Sequence, residues 1–121
     1  QPNFQYMRFH STYAPQFGAV WDWSTQPVTS FYNYCDFTNV SSGTAGAGIT
    51  LYHWLQNADI TNCNFQQSKQ DSIFPCYIYV YSSESIIKII KCKFDLPYNN
   101  SIGERYGGNN ITVSNNDFPT D

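Results

Sequence analysis

A six-residue pattern of apolar and polar positions recurs along this chain. An apolar or aromatic residue is followed by two variable residues, then by Cys, Asn or Met, and then by one residue and Phe. The pattern occurs at 4–9, 32–37, 60–65, 89–94 and 113–118. Its fourth position falls on residues 7, 35, 63, 92 and 116, so the spacings are 28, 28, 29 and 24 residues. A period of this length without helical periodicity predicts an all-β solenoid, in which each coil places short strands on three sides.

Stacking of the coils predicts columns of equivalent side chains, because neighbouring coils lie at the strand spacing of about 4.8 Å. The expected core ladder contains the phenylalanines and cysteines of the pattern: Phe9, Phe37, Phe65, Phe94, Phe118, Cys35, Cys63 and Cys92. Asn116 takes the place of Cys in the last repeat. We expect the thiols to be small buried apolar groups, and one disulfide is the alternative. Cys76 lies outside this ladder and is also expected to be buried.

A second strand with alternating polarity precedes the pattern at 19–23, 50–54 and 77–81. Inward-facing Ile78 and Val80 leave a row of aromatic rings on the outside. We predict a ligand or partner face formed by Trp21, Trp23, Tyr52, Trp54, Tyr77, Tyr79 and Tyr81. Exposed aromatic patches of this size usually bind a partner, and such a row suits sugar rings. The alternative is that a loop, such as residues 10–17 or 66–75, folds over the face.

Composition and charge narrow the classes of function. Aromatic residues make up 18% of the chain and charged residues only 12%, about half the usual share, which favours strands over long helices. The net charge of −3 leaves no basic stripe for nucleic acid, and no apolar run approaches the roughly 18 residues of a membrane span. We expect residues 1–121 to form a single β-helix domain or an excised segment of a longer β-helix, without a cofactor.

Few side chains are grouped in a way that suggests catalysis or metal binding. The register of the second strand turns Asp22 and His53 inwards on neighbouring coils. A hydrogen-bonded structural pair, or a register that turns both residues outwards, is expected rather than an acid–base pair. The sequence has no CxxC or HxxxH spacing, so no metal site is expected. On the outside, Asp59 should stack on Lys88 as a cross-strand charge pair. A mixed polar column is also expected: Asp36, Asn64, Lys93 and Asp117.

Three asparagines fit the N-glycosylation sequon, namely Asn39, Asn99 and Asn110. Together with few lysines and four cysteines, these sequons favour a protein that is secreted or exposed on the cell surface. Occupied sequons would place the chain in the secretory pathway, whereas empty sequons and free thiols would favour an intracellular scaffold.

The last repeat resembles a known repeat family. Within 109–118 an apolar pair one residue apart leads into a tight turn with an inward Asn116. This arrangement resembles the repeat of the pectate-lyase-like right-handed parallel β-helix superfamily over about 4–118, and the Cys-x-Phe variant is most similar to its adhesins and protist surface proteins. The resemblance implies a right-handed parallel β-helix of about five rungs of 24–29 residues. Unlike the lyases and hydrolases of that superfamily, this chain has scattered acids and no acidic cluster assigned to Arg105, so catalysis is not expected.

These observations predict a non-catalytic extracellular structural or adhesive β-solenoid. The sequence shows no capping helix for the two open ends, so we expect end-to-end self-association into a filament or surface layer. We also expect the aromatic row to bind glycans as partners. One alternative is a carbohydrate-binding or polysaccharide-cleaving β-helix module, and another is an intracellular scaffold protein. A groove with convergent carboxylates would favour the enzyme.

Overall fold

The computed structural model describes residues 3–10, 13–14, 18–23, 29–42, 47–52, 57–70 and 77–119. Within these ranges the chain forms short strands and one helix of four residues. The elements are β1 Asn3–Gln5, β2 Arg8–His10, β3 Tyr13–Ala14, β4 Val20–Asp22, β5 Thr29–Asn33, β6 Asp36–Thr38, β7 Ser41–Ser42, β8 Ile49–Leu51, β9 Asn57–Thr61, β10 Asn64–Gln66, β11 Lys69–Gln70, β12 Ile78–Val80, β13 Ile86–Ile90, β14 Lys93–Phe94, α1 Tyr98–Ser101, β15 Ile102–Glu104 and β16 Asn110–Ser114. In the described part of the chain, no helix is long and apolar enough to cross a lipid bilayer.

The strands stack into parallel sheets, which we name A to D. Among the described residues, sheet A is β1-β5-β9-β13-β16, sheet B is β2-β6-β10-β14, sheet C is β3-β7-β11 and sheet D is β4-β8-β12-β15. Every pair of neighbouring strands is parallel and comes from consecutive coils. Because each coil visits the sheets in the same order, the chain is a β-solenoid. The short sheet C adds a side to the three that the sequence predicts.

The solenoid has about three complete turns, so the prediction of five rungs is wrong. Three described coils carry a strand in all four sheets, namely β1–β4, β5–β8 and β9–β12. In the next coil, α1 lies between β14 and β15, where the earlier coils have a strand of sheet C. The last described strand, β16, is followed by a bridge between Asp117 and Lys93. The sequence repeats overcount the turns because each one marks the corner between sheets A and B, and this corner also occurs in the incomplete coils.

A residue in the left-handed conformation turns the chain from sheet A to sheet B. The corner residues have φ between 53° and 57°: Tyr6, Tyr34, Asn62, Lys91 and Asn115. For residues other than glycine this conformation costs about 1–2 kcal/mol. Pairing between coils continues around the corner, since Tyr34 N donates to Thr61 O at 3.1 Å and Asn64 N donates to Cys35 O at 2.9 Å. These backbone hydrogen bonds offset the strain and keep the coils in register.

The expected phenylalanine column lies inside the solenoid. The stacked rings are Phe9, Phe37, Phe65, Phe94 and Phe118. Successive centroids are 4.8, 4.8, 4.9 and 4.7 Å apart, and neighbouring planes differ by 7° or less. The middle rings are buried, whereas Phe9 and Phe118 are only half-buried. Aliphatic residues of sheets A and D, Ile49, Ile60 and Ile78 among them, complete the core around this column.

The expected cysteine column is also part of the core. Its three thiols are buried and no disulfide links them, while Cys76 lies outside the described residues. Each thiol donates to a sheet A carbonyl one coil earlier, for example Cys63 Sγ to Tyr32 O at 3.3 Å. In the last coil Asn116 Nδ2 donates in the same way to Ile89 O at 2.9 Å. The thiols therefore serve as hydrogen-bond donors as well as apolar filling.

Candidate functional site

The outer side of sheet D carries two rows of side chains. Ile49 and Ile78 are buried against the core in register, so the residues that follow them point outwards. The first outer row is Trp21, Thr50, Tyr79 and Gly103. Backbone pairing continues beyond the strand ends, since Tyr81 N donates to Leu51 O at 2.7 Å. This pairing aligns a second outer row, which is Trp23, Tyr52, Tyr81 and Arg105.

Four rings from these rows and the ring of Tyr106, which follows Arg105, form one continuous surface. We call it the aromatic face: Trp21, Trp23, Tyr52, Tyr81 and Tyr106. Tyr52 and Tyr81 stack with centroids 4.6 Å apart and an interplanar angle of 19°. Trp21 meets Tyr52 edge to face at 5.9 Å and 77°. Tyr106 meets Tyr81 edge to face at 5.7 Å and 83°. The aromatic face therefore spans three coil steps, about 14 Å at the strand spacing of a parallel sheet.

Exposure is highest at the two ends of the aromatic face. Trp21, Trp23 and Tyr106 are 53%, 54% and 45% exposed, whereas the stacked tyrosines between them are half-buried. Arg105 places a positive charge at one end of the aromatic face. Its guanidinium carbon lies 5.8 Å from the ring centroids of both Tyr81 and Tyr106. Such cation–π contacts hold a guanidinium over the rings while it stays in water. The face thus combines apolar rings, phenol hydroxyls and a positioned cation.

Four of the predicted outer residues belong to the aromatic face, and the prediction for Tyr77 is wrong. Tyr77 lies inside, fully buried, with its ring centroid 5.5 Å from that of Phe65. It precedes β12 in a bend, where the alternation of a strand does not hold. Tyr79 points outwards but is only 5% exposed, so a ligand on the face would not reach it directly. Trp54 lies outside the described residues.

The sequence does not predict Tyr106 in the aromatic face. It follows β15 in a glycine-rich segment with no alternating pattern. Gly108 adopts φ 86°, a conformation that glycine reaches easily, and it lies in the turn just after the tyrosine. An aromatic residue followed by two glycines is the sequence signal that points to a ring presented by a turn.

Asp22 faces the interior as predicted, but the partner that the structure describes is a tyrosine. Asp22 is 4% exposed, and its Oδ2 accepts a hydrogen bond from the Tyr32 hydroxyl at 2.5 Å. Burial, followed by the nearby carboxylate, raises the pKa of Tyr32 above its ordinary value. His53, the expected partner, lies outside the described residues. The pair satisfies a buried carboxylate, which is a structural role.

A second tyrosine–aspartate contact joins the interior to the surface. The Tyr77 hydroxyl donates to Asp95 Oδ1 at 2.5 Å and accepts a hydrogen bond from Ser68 N at 3.0 Å. The other carboxylate oxygen, Oδ2, accepts from Gln67 N at 2.8 Å. Burial, with the hydrogen bond to Asp95, raises the pKa of the Tyr77 phenol. Two coils are linked by this cluster, which no repeat in the sequence predicts.

The charged residues on the outside are spread along the solenoid. Asp59 and Lys88 lie side by side in the register of sheet A. The predicted polar column follows the register of sheet B, with Arg8 at its start: Arg8, Asp36, Asn64, Lys93 and Asp117. Arg8 Nε lies 3.8 Å from Asp36 Oδ2. The described ranges contain no group of three or more His, Cys, Asp or Glu side chains that could hold a metal ion.

The three sequon asparagines differ in exposure. Asn39 is half-buried in the left-handed conformation, and its backbone N donates to Gln66 O at 3.0 Å. Asn99 lies exposed in α1, and Asn110 lies exposed at the start of β16. The two exposed sites are therefore better placed than Asn39 to carry a glycan on the folded chain.

Comparison of this chain with protein-family models, curated proteins and solved structures found no match. The resemblance of 109–118 to the pectate-lyase-like superfamily accordingly stays a prediction. The geometry of the aromatic face is the basis for the function that follows.

Proposed function

We propose that this chain is a non-catalytic, extracellular adhesive β-solenoid that binds carbohydrate through the aromatic face. The observation that carries the proposal is the run of contacting rings from Trp21 to Tyr106, exposed at both ends. Soluble proteins seldom leave aromatic surface of this extent in water unless a partner covers it.

Carbohydrate fits this surface better than a purely apolar ligand. A pyranose ring has a face of C–H bonds and a rim of hydroxyls, so it packs on an indole or phenol while its rim forms hydrogen bonds. Trp21 and Tyr106 meet the stacked Tyr52 and Tyr81 edge to face, and both keep about half of their surface exposed. Arg105 and the phenol hydroxyls supply donors at the rim.

The hydrogen bonds of two acidic residues next to the aromatic face favour binding over hydrolysis. Most glycoside hydrolases use two carboxyl groups within about 10 Å of each other, one on either side of the glycosidic bond. Asp22 is buried inside and accepts a hydrogen bond from Tyr32, while Glu104 accepts one from Asn109.

The proposal also takes the solenoid as right-handed, because connections between parallel strands of one sheet are right-handed in nearly all proteins.

A glycan array with the purified chain tests the binding proposal. We expect the double variant Trp21→Ala, Trp23→Ala to lose about tenfold or more in affinity for any glycan that the unaltered chain binds, because two ring faces are removed. The matched control is Tyr6→Ala, Tyr34→Ala, which removes two exposed stacked rings from a different corner. Equal binding by the tryptophan variant, or no binding by the unaltered chain, would refute the proposal.

Mass spectrometry of the protein from its natural source tests the extracellular location. We expect glycans on Asn99 and Asn110, the exposed sequon asparagines. Empty sequons with free thiols throughout would instead support the intracellular scaffold.

A further inference from the structure

The polar column of sheet B begins with a cation and ends with an anion. Arg8 starts it, and its guanidinium pairs with Asp36 in the next coil. Asp117 ends it, in register with Lys93 on the preceding coil. Arg8 and Asp117 are both exposed. The two ends are complementary in charge, and each end residue has a partner of opposite charge on its inner side.

The same two ends present strand edges with half-buried apolar residues. In sheet A, β1 pairs with β5 and β16 pairs with β13, and these are the outermost described strands of that sheet. Phe4 and Phe9 at one end, and Ile111 and Val113 at the other, are only partly buried. Equivalent residues in the middle coils are fully buried. Strand edges of this kind readily pair with another chain.

We propose that a second copy of this chain docks its β1 and β2 edges onto β16 and Asp117 of the first, in the register that the coils themselves use. Asp117 then meets Arg8 of the second copy as Asp36 meets Arg8 within one copy. The contact joins unlike surfaces, so repetition produces a filament and not a closed dimer. This surface is separate from the aromatic face, and the inference stands independently of carbohydrate binding.

The geometry limits the contact to sheets A and B. Among the described residues, sheet D ends at β15, one coil before sheet A ends at β16. Tyr98 already contacts Phe118 edge to face at 5.5 Å, so stacking on the phenylalanine column contributes less. The strand edges provide the attraction, and the Asp117–Arg8 pair sets the register and orientation.

A charge-reversal experiment tests the proposal. The variants Arg8→Glu and Asp117→Lys each place like charges at the contact between identical copies. We expect each variant alone to associate about tenfold or more weakly than the unaltered chain, as measured by analytical ultracentrifugation. In a one-to-one mixture of the two variants, every contact between unlike copies regains opposite charges. We therefore expect the mixture to recover association and to form filaments visible by electron microscopy.

Controls separate association from folding and from carbohydrate binding. Lys88→Glu makes the same change in charge beside Asp59 as Arg8→Glu makes beside Asp36, but it lies outside the column, and we expect it to associate normally. Trp21→Ala, Trp23→Ala should also associate normally, because the aromatic face is not part of the contact. A monomeric unaltered chain at high concentration, undiminished association of the single variants, or a mixture that fails to recover would each overturn the proposal.

Discussion

Two phenol groups in the interior donate to aspartate carboxylates, Tyr32 to Asp22 and Tyr77 to Asp95, each at 2.5 Å. Their pKa values are raised, chiefly because burial disfavours the charged phenolate. The ionised form of either tyrosine would also place a second negative charge beside the carboxylate. The folded state therefore requires both phenols to stay neutral, whereas the unfolded chain ionises them near their ordinary pKa of 10.0.

These raised pKa values predict a loss of stability in alkali. The contribution is fully present below about pH 10, the unfolded pKa, and is lost as the pH rises towards the folded pKa, at about 1.4 kcal/mol per pH unit for each phenol. When urea denaturation is measured from about pH 9 to pH 11, the free energy of unfolding of Tyr32→Phe should therefore fall less steeply than that of the unaltered chain. Near pH 11 the two slopes should differ by the contribution of about one proton. An unchanged slope for Tyr32→Phe would contradict this assignment.

Position in the phenylalanine column predicts the cost of removing a ring. Phe65 is fully buried between two stacked rings, so Phe65→Ala should lower the free energy of unfolding by about 3–5 kcal/mol. Phe118 is half-buried at the end of the column, so Phe118→Ala should cost about half as much or less. Chemical denaturation of both variants gives the comparison. Equal losses in the free energy of unfolding would contradict the expectation that a ring in the middle of the column stabilises the chain more than a ring at its end.

At the scale of the element, the corner between sheets A and B combines strain with regular pairing. The chain accepts a left-handed tyrosine, lysine or asparagine there because the strands on both sides stay hydrogen-bonded to neighbouring coils. Asparagine tolerates this conformation better than lysine does. Lys91 therefore adopts an intrinsically unfavourable backbone conformation that the hydrogen bonds of its neighbours stabilise.

The strained corner predicts that replacing two nearby lysines by glycine has opposite effects on the free energy of unfolding. Lys91→Gly should raise the free energy of unfolding by about 0.5–1 kcal/mol, because glycine adopts φ 57° without Cβ strain. Lys93→Gly, in the extended conformation of β14, should lower it by about 0.5–1 kcal/mol. Both side chains are exposed, so lost contacts affect the comparison little. Destabilisation by both changes, measured in urea, would argue against strain at the corner.

At the scale of the whole molecule, each coil contacts only its neighbours, so stability depends on how many neighbours a coil has. Residues of the middle coils such as Tyr32, Ile60 and Ile87 are fully buried. In the first and last described coils, Phe4 and Val113 occupy matching inner positions but are only partly buried. The solenoid should therefore open from its ends.

Hydrogen exchange followed by mass spectrometry should show this order. We expect backbone amides of β9 and β13 to be the most protected, and those of β1 and β16 to exchange first, because each outer strand pairs on one side in the described structure. Dilution should leave the middle strands unchanged. If the chain forms filaments at high concentration, β1 and β16 should become protected there. Uniform protection in the dilute monomer would contradict opening from the ends.

The sequence predicts much of this architecture because stacking repeats the same residue in each coil. Phe37, Phe65 and Phe94 recur at nearly constant spacing, so their column follows directly from the repeat. Sheet C leaves no such signal, since strands of two residues are too short to show alternation. The helix α1 after Pro97 is equally brief and has no periodicity.

The aromatic face was only partly predictable for a related reason. Alternation places Trp21 and Tyr81 outside correctly, because both follow inward aliphatic residues. It fails for Tyr77, which belongs to the bend before β12, lies fully buried and donates a hydrogen bond to Asp95. A pattern in the sequence gives the direction of a side chain but not what packs over it, and so Tyr79 was expected to be exposed.

The corner residues have a further consequence. Tyr6, Tyr34, Asn62, Lys91 and Asn115 are all exposed and share one backbone conformation. Their separation is fixed by the hydrogen-bonded main chain, so it does not depend on which side chain each one carries. Reactive groups attached at these five sites would stand in a straight line with a pitch of about 4.8 Å. These exposed positions can therefore be substituted to hold chosen groups at a fixed, regular spacing without changing the buried core.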